Sequence, residues 1–185
     1  HTESYAVAIN AKGQIAANAY TVDPDSGSYT IRPFLWQAGR STVLRTDAAV
    51  YDINFSGLMS GIWEGRGVIF KPNGAVMTII NTGQPNTEPF AINNRGNAAG
   101  RTIDYDLSPI STFLYKGGAV TDLGSRGVET VNNINDLDQV AGQCRGKACI
   151  YQNGRVRVLT TGRSEERRVG KEGDWQCRSR WSPYH

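Results

Sequence analysis

A period of about forty residues governs what this chain can fold into. The runs AVAINAKGQIAA (6–17), VYDINFSGLMSG (50–61), PFAINNRGNAAG (89–100) and VNNINDLDQVAG (131–142) align without gaps. Each carries Ile-Asn and two variable residues, then Gly13, Gly57 or Gly96, with Asp138 in the fourth copy. A small residue follows four positions later. The asparagines are Asn10, Asn54, Asn93 and Asn135, separated by 44, 39 and 42 residues. A second element trails each copy: PFLWQAG (33–39), GVIFKPNG (67–74), TFLYKGG (112–118) and CIYQNG (149–154). An apolar pair leads there to Trp36, Phe70, Tyr115 or Tyr151, then to a turn ending in Gly39, Gly74, Gly118 or Gly154. Five residues after that glycine stands Leu44, Ile79, Leu123 or Leu159. Recurrence of two linked motifs marks a repeat architecture, in which each unit buries its faces against its neighbours.

Each unit reads as four short strands. The first ends at Ile-Asn, the second carries the small residue, the third is the apolar-aromatic run, and the fourth holds the Leu or Ile. Asn opening a type I turn accepts a backbone hydrogen bond from two residues on, and the glycine three later takes the left-handed conformation of a bulged hairpin. Asp138 fits that place because Asp tolerates the conformation better than most side chains. Asn73-Gly74 and Asn153-Gly154 are hairpin dipeptides. The expected fold is therefore all-β: a β-propeller-like array of four four-stranded antiparallel repeats, at about 5–47, 48–86, 87–127 and 128–162. A solenoid is the alternative, although its repeats are usually shorter and its strands parallel. The chain starts at His1 with strand-like sequence at once. It is therefore read as an open arc of a larger ring, with further repeats and any signal peptide outside it.

Composition narrows the chemistry. The final segment, residues 163–185, holds six Lys/Arg and four Asp/Glu, which leaves residues 1–162 with 14 and 13. So balanced a body offers no basic field for nucleic acid. No apolar run is long enough to span a membrane as a helix. His1 and His185 are the only histidines. Within the repeats this removes His-based nucleophilic catalysis and the common His-containing zinc sites, leaving carboxylate chemistry. No catalytic, cofactor-binding or metal-binding residue is assigned.

INNRGNAAG, FLWQAG and VTDLGSRG resemble the HAF family of extracellular bacterial repeats, over about residues 5–162. Departures are Asp138 for Gly, Ala17 followed by Asn18 where Gly is usual, and a one-residue insertion after Phe70. The resemblance implies a secreted or cell-surface repeat protein, and it carries no catalytic residues with it. RSEERRVGKE and CRSRWSPYH resemble a translated sequencing-adapter string. Residues 163–185 are accordingly expected to be a disordered, non-native tail, with a native disordered tail or a basic arm as alternatives.

Cys144 and Cys149 flank a hairpin turn, where they are expected to face one another, and are either a disulfide or two free thiols. The extracellular context implied by the resemblance favours the disulfide. Cys177, the odd cysteine, lies in the suspect tail.

Acidic runs at DPDSG (23–27) and DYDLSP (104–109) suggest calcium loops, but they lack the later ligands and the closing bidentate Glu. They read better as surface turns in the connections between strands two and three, which are long in repeats one and three only. Binding evolves on such loops, so Asp23, Asp25, Tyr29, Arg32, Asp104, Tyr105 and Asp106 are the candidate binding residues. Trp36, Phe70, Tyr115 and Tyr151 are read as inter-repeat core rather than a sugar-stacking ladder, and off-pattern Trp63 as a candidate exposed contact. The expected function is a non-enzymatic structural or adhesive module with an unidentified protein or glycan partner. The alternative is a carbohydrate-active hydrolase or lyase using carboxylates.

Overall fold

The computed structural model describes residues 2–160. Expectations for residues 163–185, Cys177 and both histidines lie outside the described residues. The described chain is all-β and forms four sheets, each an antiparallel meander in chain order. The first contains β1 (Thr2–Ile9), β2 (Ile15–Val22), β3 (Tyr29–Gln37) and β4 (Arg40–Val43). The second contains β5 (Ala48–Ile53), β6 (Met59–Trp63), β7 (Arg66–Phe70) and β8 (Val76–Ile80). The third contains β9 (Asn86–Ile92), β10 (Ala98–Ile103), β11 (Pro109–Lys116) and β12 (Ala119–Asp122). A short 3-10 turn at Gly124–Arg126 leads to the fourth, made of β13 (Thr130–Ile134), β14 (Val140–Cys144), β15 (Lys147–Gln152) and β16 (Arg155–Val158).

Successive sheets stack like propeller blades, because the inner strands of each sheet carry apolar or small side chains on both faces. Ala16 and Leu35, on the rear of sheet one, pack against Met59, Val68 and Phe70 on the front of sheet two. Ile69 meets Ala98 and Phe113 in the same way, with Tyr115 packed beside them. Ala99 and Leu114 meet Val140, Cys149 and Tyr151. Each fully buried side chain of this size contributes about 1.5–3 kcal/mol. The aromatic series is thus inter-sheet core, with one departure. Trp36, on the front of sheet one, is 38% exposed, while Phe70 is 0% exposed.

At the rear-face position of Ala16, Ala99 and Ala141, sheet two carries Ser60. Its hydroxyl is fully buried and has no hydrogen-bond partner. Ser60→Ala is expected to stabilise the protein by about 1 kcal/mol, measured by urea denaturation.

The Ile-Asn turns explain how the sheets are fastened. Asn10 Oδ1 accepts from the backbone of Lys12 and Gln14, and Asn54 Oδ1 from Ser56 and Leu58. Asn93 Oδ1 accepts from Arg95 and Asn97, and Asn135 Oδ1 from Leu137 and Gln139. Gly13, Gly57, Gly96 and Asp138 all have positive φ, Asp138 at 57°. The turn chemistry read from sequence is present at all four places. The amide nitrogens do something the turn does not require. Asn10 Nδ2 donates to the Asn54 carbonyl at 2.9 Å, Asn54 Nδ2 to that of Asn93 at 3.0 Å, and Asn93 Nδ2 to that of Asn135 at 2.9 Å. A ladder of side-chain bonds therefore runs from repeat to repeat. Asn135 Nδ2 instead donates to Gln139 in its own turn. The four turns line one shallow opening of about 380 Å3, which places them around a common axis.

Asp138 does more than tolerate its conformation. Its carboxylate accepts from Asn93 Nδ2 at 2.8 Å and Asn97 Nδ2 at 2.7 Å, and pairs with Lys116 Nζ at 2.8 Å and Arg95 at 3.5 Å. Burial on its own would raise its pKa. Lys116 and the two amides outweigh that and hold the carboxyl below the usual aspartate range. Restoring the repeat's glycine by Asp138→Gly would relieve about 1 kcal/mol of left-handed strain. It also removes the acceptor shared by Asn93, Asn97, Lys116 and Arg95, so a net loss of about 1 kcal/mol is expected. A folded-state pKa below the unfolded one contributes stability above about pH 4, lost as pH falls through the folded value. The D138G deficit should accordingly shrink in denaturation curves taken at progressively lower pH.

Asn18, which follows the Ala17 departure, is also an inter-repeat clamp. Its amide donates to the Val50 carbonyl at 3.0 Å and accepts the Val50 N–H at 2.9 Å.

Four sequence expectations need correction. The repeated Leu lies just past strand four: Leu44, Leu123 and Leu159 donate their N–H groups to Pro33, Thr112 and Ala148. Counting five residues from Gly74 selects Ile79, yet Ile80 is the structural equivalent. It pairs with Gly67 and is 2% exposed, whereas Ile79 is 45% exposed. The cause is the inserted residue: Asn73-Gly74 ends a longer turn closed by Lys71 and Ala75, while Asn153-Gly154 is a two-residue turn with both φ positive. Trp63 is half-buried on the core of sheets one and two, with the Arg45 guanidinium 4.3 Å above its ring. Cys144 and Cys149 are not directly opposite: Cys144 pairs with Lys147 and Cys149 with Gly142.

These cysteines are diagonal neighbours on one face, and the structure joins them as a disulfide with Cα atoms 5.8 Å apart. Both are 2% exposed in the core between sheets three and four. Reduction is expected to lower stability by about 2 kcal/mol. Alkylation of the unfolded, unreduced protein should label neither residue; two labelled thiols would exclude the bridge.

Candidate functional site

The loops singled out in the sequence are turns that satisfy themselves. Residues 23–28 close with Asp23 N–H to the Ser28 carbonyl. Asp23 Oδ1 accepts from the backbone of Asp25 at 2.8 Å and Ser26 at 3.1 Å. Those bonds depress its pKa. Tyr29 and Arg32 belong to β3, opposite Val22 and Ala19. In repeat three, Asp104 closes the same kind of turn with Ser108 and Leu107, the latter at a positive φ of 68°. Asp104 Oδ1 accepts the Tyr105 N–H, and Asp106 Oδ1 that of Ser108, which lowers the Asp106 pKa. Tyr105 is 82% exposed. The two loops sit on sheets one and three, with sheet two between, so the seven candidates are not one constellation. Among the described residues, no three His, Cys, Asp or Glu side chains group as a metal site.

The site that does assemble lies below the second loop, in a cleft of about 600 Å3 between sheets three and four. Antiparallel topology places it at the end of the blades opposite the Ile-Asn turns. Val128 and Val131 give it an apolar floor. Phe90 and Arg101 form one side, Ile110 and Ser111 another, and Asp122 and Glu129 stand at its polar edge.

Arg101 is held from behind. Its Nε donates to Glu88 at 2.7 Å, and its guanidinium lies 5.2 Å from the centre of the Phe90 ring. Tyr51 donates to the other Glu88 oxygen at 3.3 Å and meets Phe90 edge-on at 5.5 Å. Burial first, and then the Glu88 charge, push the Tyr51 phenol far above its usual pKa, so it remains a donor. These four residues, from β5, β9 and β10, form a partly buried platform that presents a fixed cation over an aromatic face. None of the four stood out in the sequence. Tyr51 and Phe90 are the residues three before Asn54 and Asn93, where the first strand bulges and turns a side chain out of the regular alternation.

On the opposite side Ser111 Oγ donates to Asp122 Oδ1 at 2.5 Å, and Ser125 N–H donates to the same oxygen at 3.2 Å. The Ser111 bond is the main reason the Asp122 pKa is lowered. An acid held ionised in this way can accept hydrogen bonds from a ligand and is poorly suited to protonating a leaving group. Glu129 accepts from the Gly146 N–H at 3.2 Å.

Asp52 is the aspartate whose pKa is raised, through burial, and both its oxygens are engaged by backbone. Oδ1 accepts from Ile53 at 2.8 Å and Oδ2 from Ile92 of the next sheet at 2.9 Å. It is an inter-repeat fastening. The described residues therefore offer a mixed cleft, with a fixed guanidinium, an aromatic face, an apolar floor, an ionised Asp122 and Glu129 at its edge. Compared with models of protein families and with curated proteins, the chain matches none.

Proposed function

We propose that this protein is a non-enzymatic extracellular or cell-surface binding module of the HAF type, and that its ligand, a glycan or a protein segment, enters the cleft between sheets three and four. One observation carries the reading. Polar side chains that recur in the repeats are consumed in turns and inter-repeat bonds, while the cleft brings together Arg101, Phe90, Ser111, Asp122 and Glu129, which take no part in the asparagine ladder. Its combination of guanidinium, aromatic ring and hydroxyl-accepting carboxylates suits a polyhydroxylated or mixed polar-apolar surface. A disulfide within a hairpin accords with an oxidising compartment.

The alternative, a hydrolase or lyase using carboxylates, requires a pair of acids with opposed protonation. The lowered pKa of Asp122 and the exposed turn positions of Asp104 and Asp106 weigh against it. The test is a glycan and peptide array with the full chain, alongside a panel of polysaccharide substrates. Binding that is lost in Ile110→Glu, a change at the half-exposed wall of the cleft, supports the reading. Turnover abolished by Asp122→Asn or Glu129→Gln would overturn it.

A further inference from the structure

Among the described residues, the front of sheet one and the rear of sheet four are the two sheet faces that no neighbouring sheet covers. At each internal junction, rear-face residues of one sheet cover front-face residues of the next. The front position of Ile9 is occupied further along by Ile53, Ile92 and Ile134, which are 5–6% exposed; Ile9 is 67% exposed. Trp36 stands at the position of Phe70 and is likewise uncovered. The rear of sheet four repeats this in mirror sense. Ala141 is exposed and Ile150 half-exposed, where Ala16 and Leu35, Ser60 and Ile69, and Ala99 and Leu114 are all buried.

The polar ladder stops at the same place. Asn135 Nδ2 lies where its three counterparts each reach the next repeat's asparagine carbonyl. The front face of sheet one and the rear face of sheet four thus repeat the positions that meet at three existing junctions.

We infer that copies of this chain associate head to tail. The rear of sheet four in one copy receives the front of sheet one in another, with Ile9 and Trp36 entering against Ala141 and Ile150, and Asn135 Nδ2 reaching the Asn10 carbonyl. Such a contact is heterologous, so it builds rings or open chains rather than closed two-fold dimers. It is independent of the cleft and of what the cleft binds.

The test is sedimentation velocity on the full chain and two variants. One is blocked at the front, Ile9→Asp with Trp36→Asp; the other is blocked at the rear, Ala141→Arg with Ile150→Asp. These positions are exposed or half-exposed, and thermal unfolding confirms that each variant folds. Wild-type protein should show a weight-average mass that rises with concentration through the hundred-micromolar range. Each variant alone should sediment as a monomer, and their equimolar mixture should give a one-to-one complex. Either variant should also lower the mass of wild-type assemblies by capping them. A wild-type protein that stays monomeric over that range would overturn the inference. So would a variant that self-associates alone, or a mixture that forms no complex.

Discussion

Replacing Gly100 with alanine is expected to destabilise the protein by about 3 kcal/mol, read as a lower urea midpoint with an unchanged slope. The reason is geometric. Where β9 bulges across Pro89 and Phe90, its backbone comes close to β10, and a Cβ on Gly100 would fall onto the carbonyl oxygen of Glu88. Backbone cannot rotate away as a flexible side chain can, so the strands must separate. Their separation would disturb Glu88, which orients Arg101 in the cleft, so ligand capture should weaken together with stability. Gly61 and Gly142 stand in the same relation to Ala49 and Thr130. The first repeat carries Ala17 there, paired with Ala6, so the architecture admits a methyl when the local strand spacing is set for it. The cost of the substitution lies in the spacing the other three sheets adopt.

Asn93→Ala is expected to cost about 3 kcal/mol. Asn93 is 4% exposed, and its side chain serves two structures at once. Oδ1 accepts two N–H groups of its own turn, and Nδ2 reaches the Asn135 carbonyl and the Asp138 carboxylate across the junction. Truncation leaves a buried N–H of Asn97 and a buried acceptor on Asp138 short of a partner, and such losses exceed the net worth of an average hydrogen bond. The Arg95–Asp138 pair, long at 3.5 Å and half-exposed on the Arg95 side, does not compensate. Calorimetry should find Asn93→Asp no less destabilising than Asn93→Ala at neutral pH, since the aspartate keeps the turn acceptors but sets a second carboxylate against Asp138.

Much of the fold is legible in the sequence, because a repeat states its rules four times. The spacing of Asn10, Asn54, Asn93 and Asn135 marks the first turn of every sheet, and the glycine or Asp three residues on marks its left-handed position. What spacing does not reveal is reach. Nothing local distinguishes an asparagine that only closes its own turn, as Asn135 does, from one whose amide also holds the next repeat, as Asn54 does. Departures from the pattern are informative for the same reason: Asp138, which reads as a tolerated substitution, is a junction clamp. Counting along the chain fails at the insertion after Phe70, where turn geometry moves the buried position from Ile79 to Ile80. The cleft is hardly legible at all. It draws Arg101, Phe90, Ser111, Asp122 and Glu129 from two sheets, and its key aromatic residue points inward because of a bulge. The sequence directs attention to the loop at 104–108, which stands above the cleft and keeps its own carboxylates in turn hydrogen bonds.

The role of the repeated asparagine can be measured directly by equilibrium unfolding of Asn10→Ala, Asn54→Ala, Asn93→Ala and Asn135→Ala, at protein concentrations low enough to keep the chain monomeric. All four substitutions remove the same turn acceptor, and three also remove a bond to the next repeat. Asn54→Ala and Asn93→Ala should cost about 3 kcal/mol each, Asn10→Ala about 2, and Asn135→Ala about 1. Equal costs at all four positions would contradict the ladder and leave the asparagines as turn formers alone.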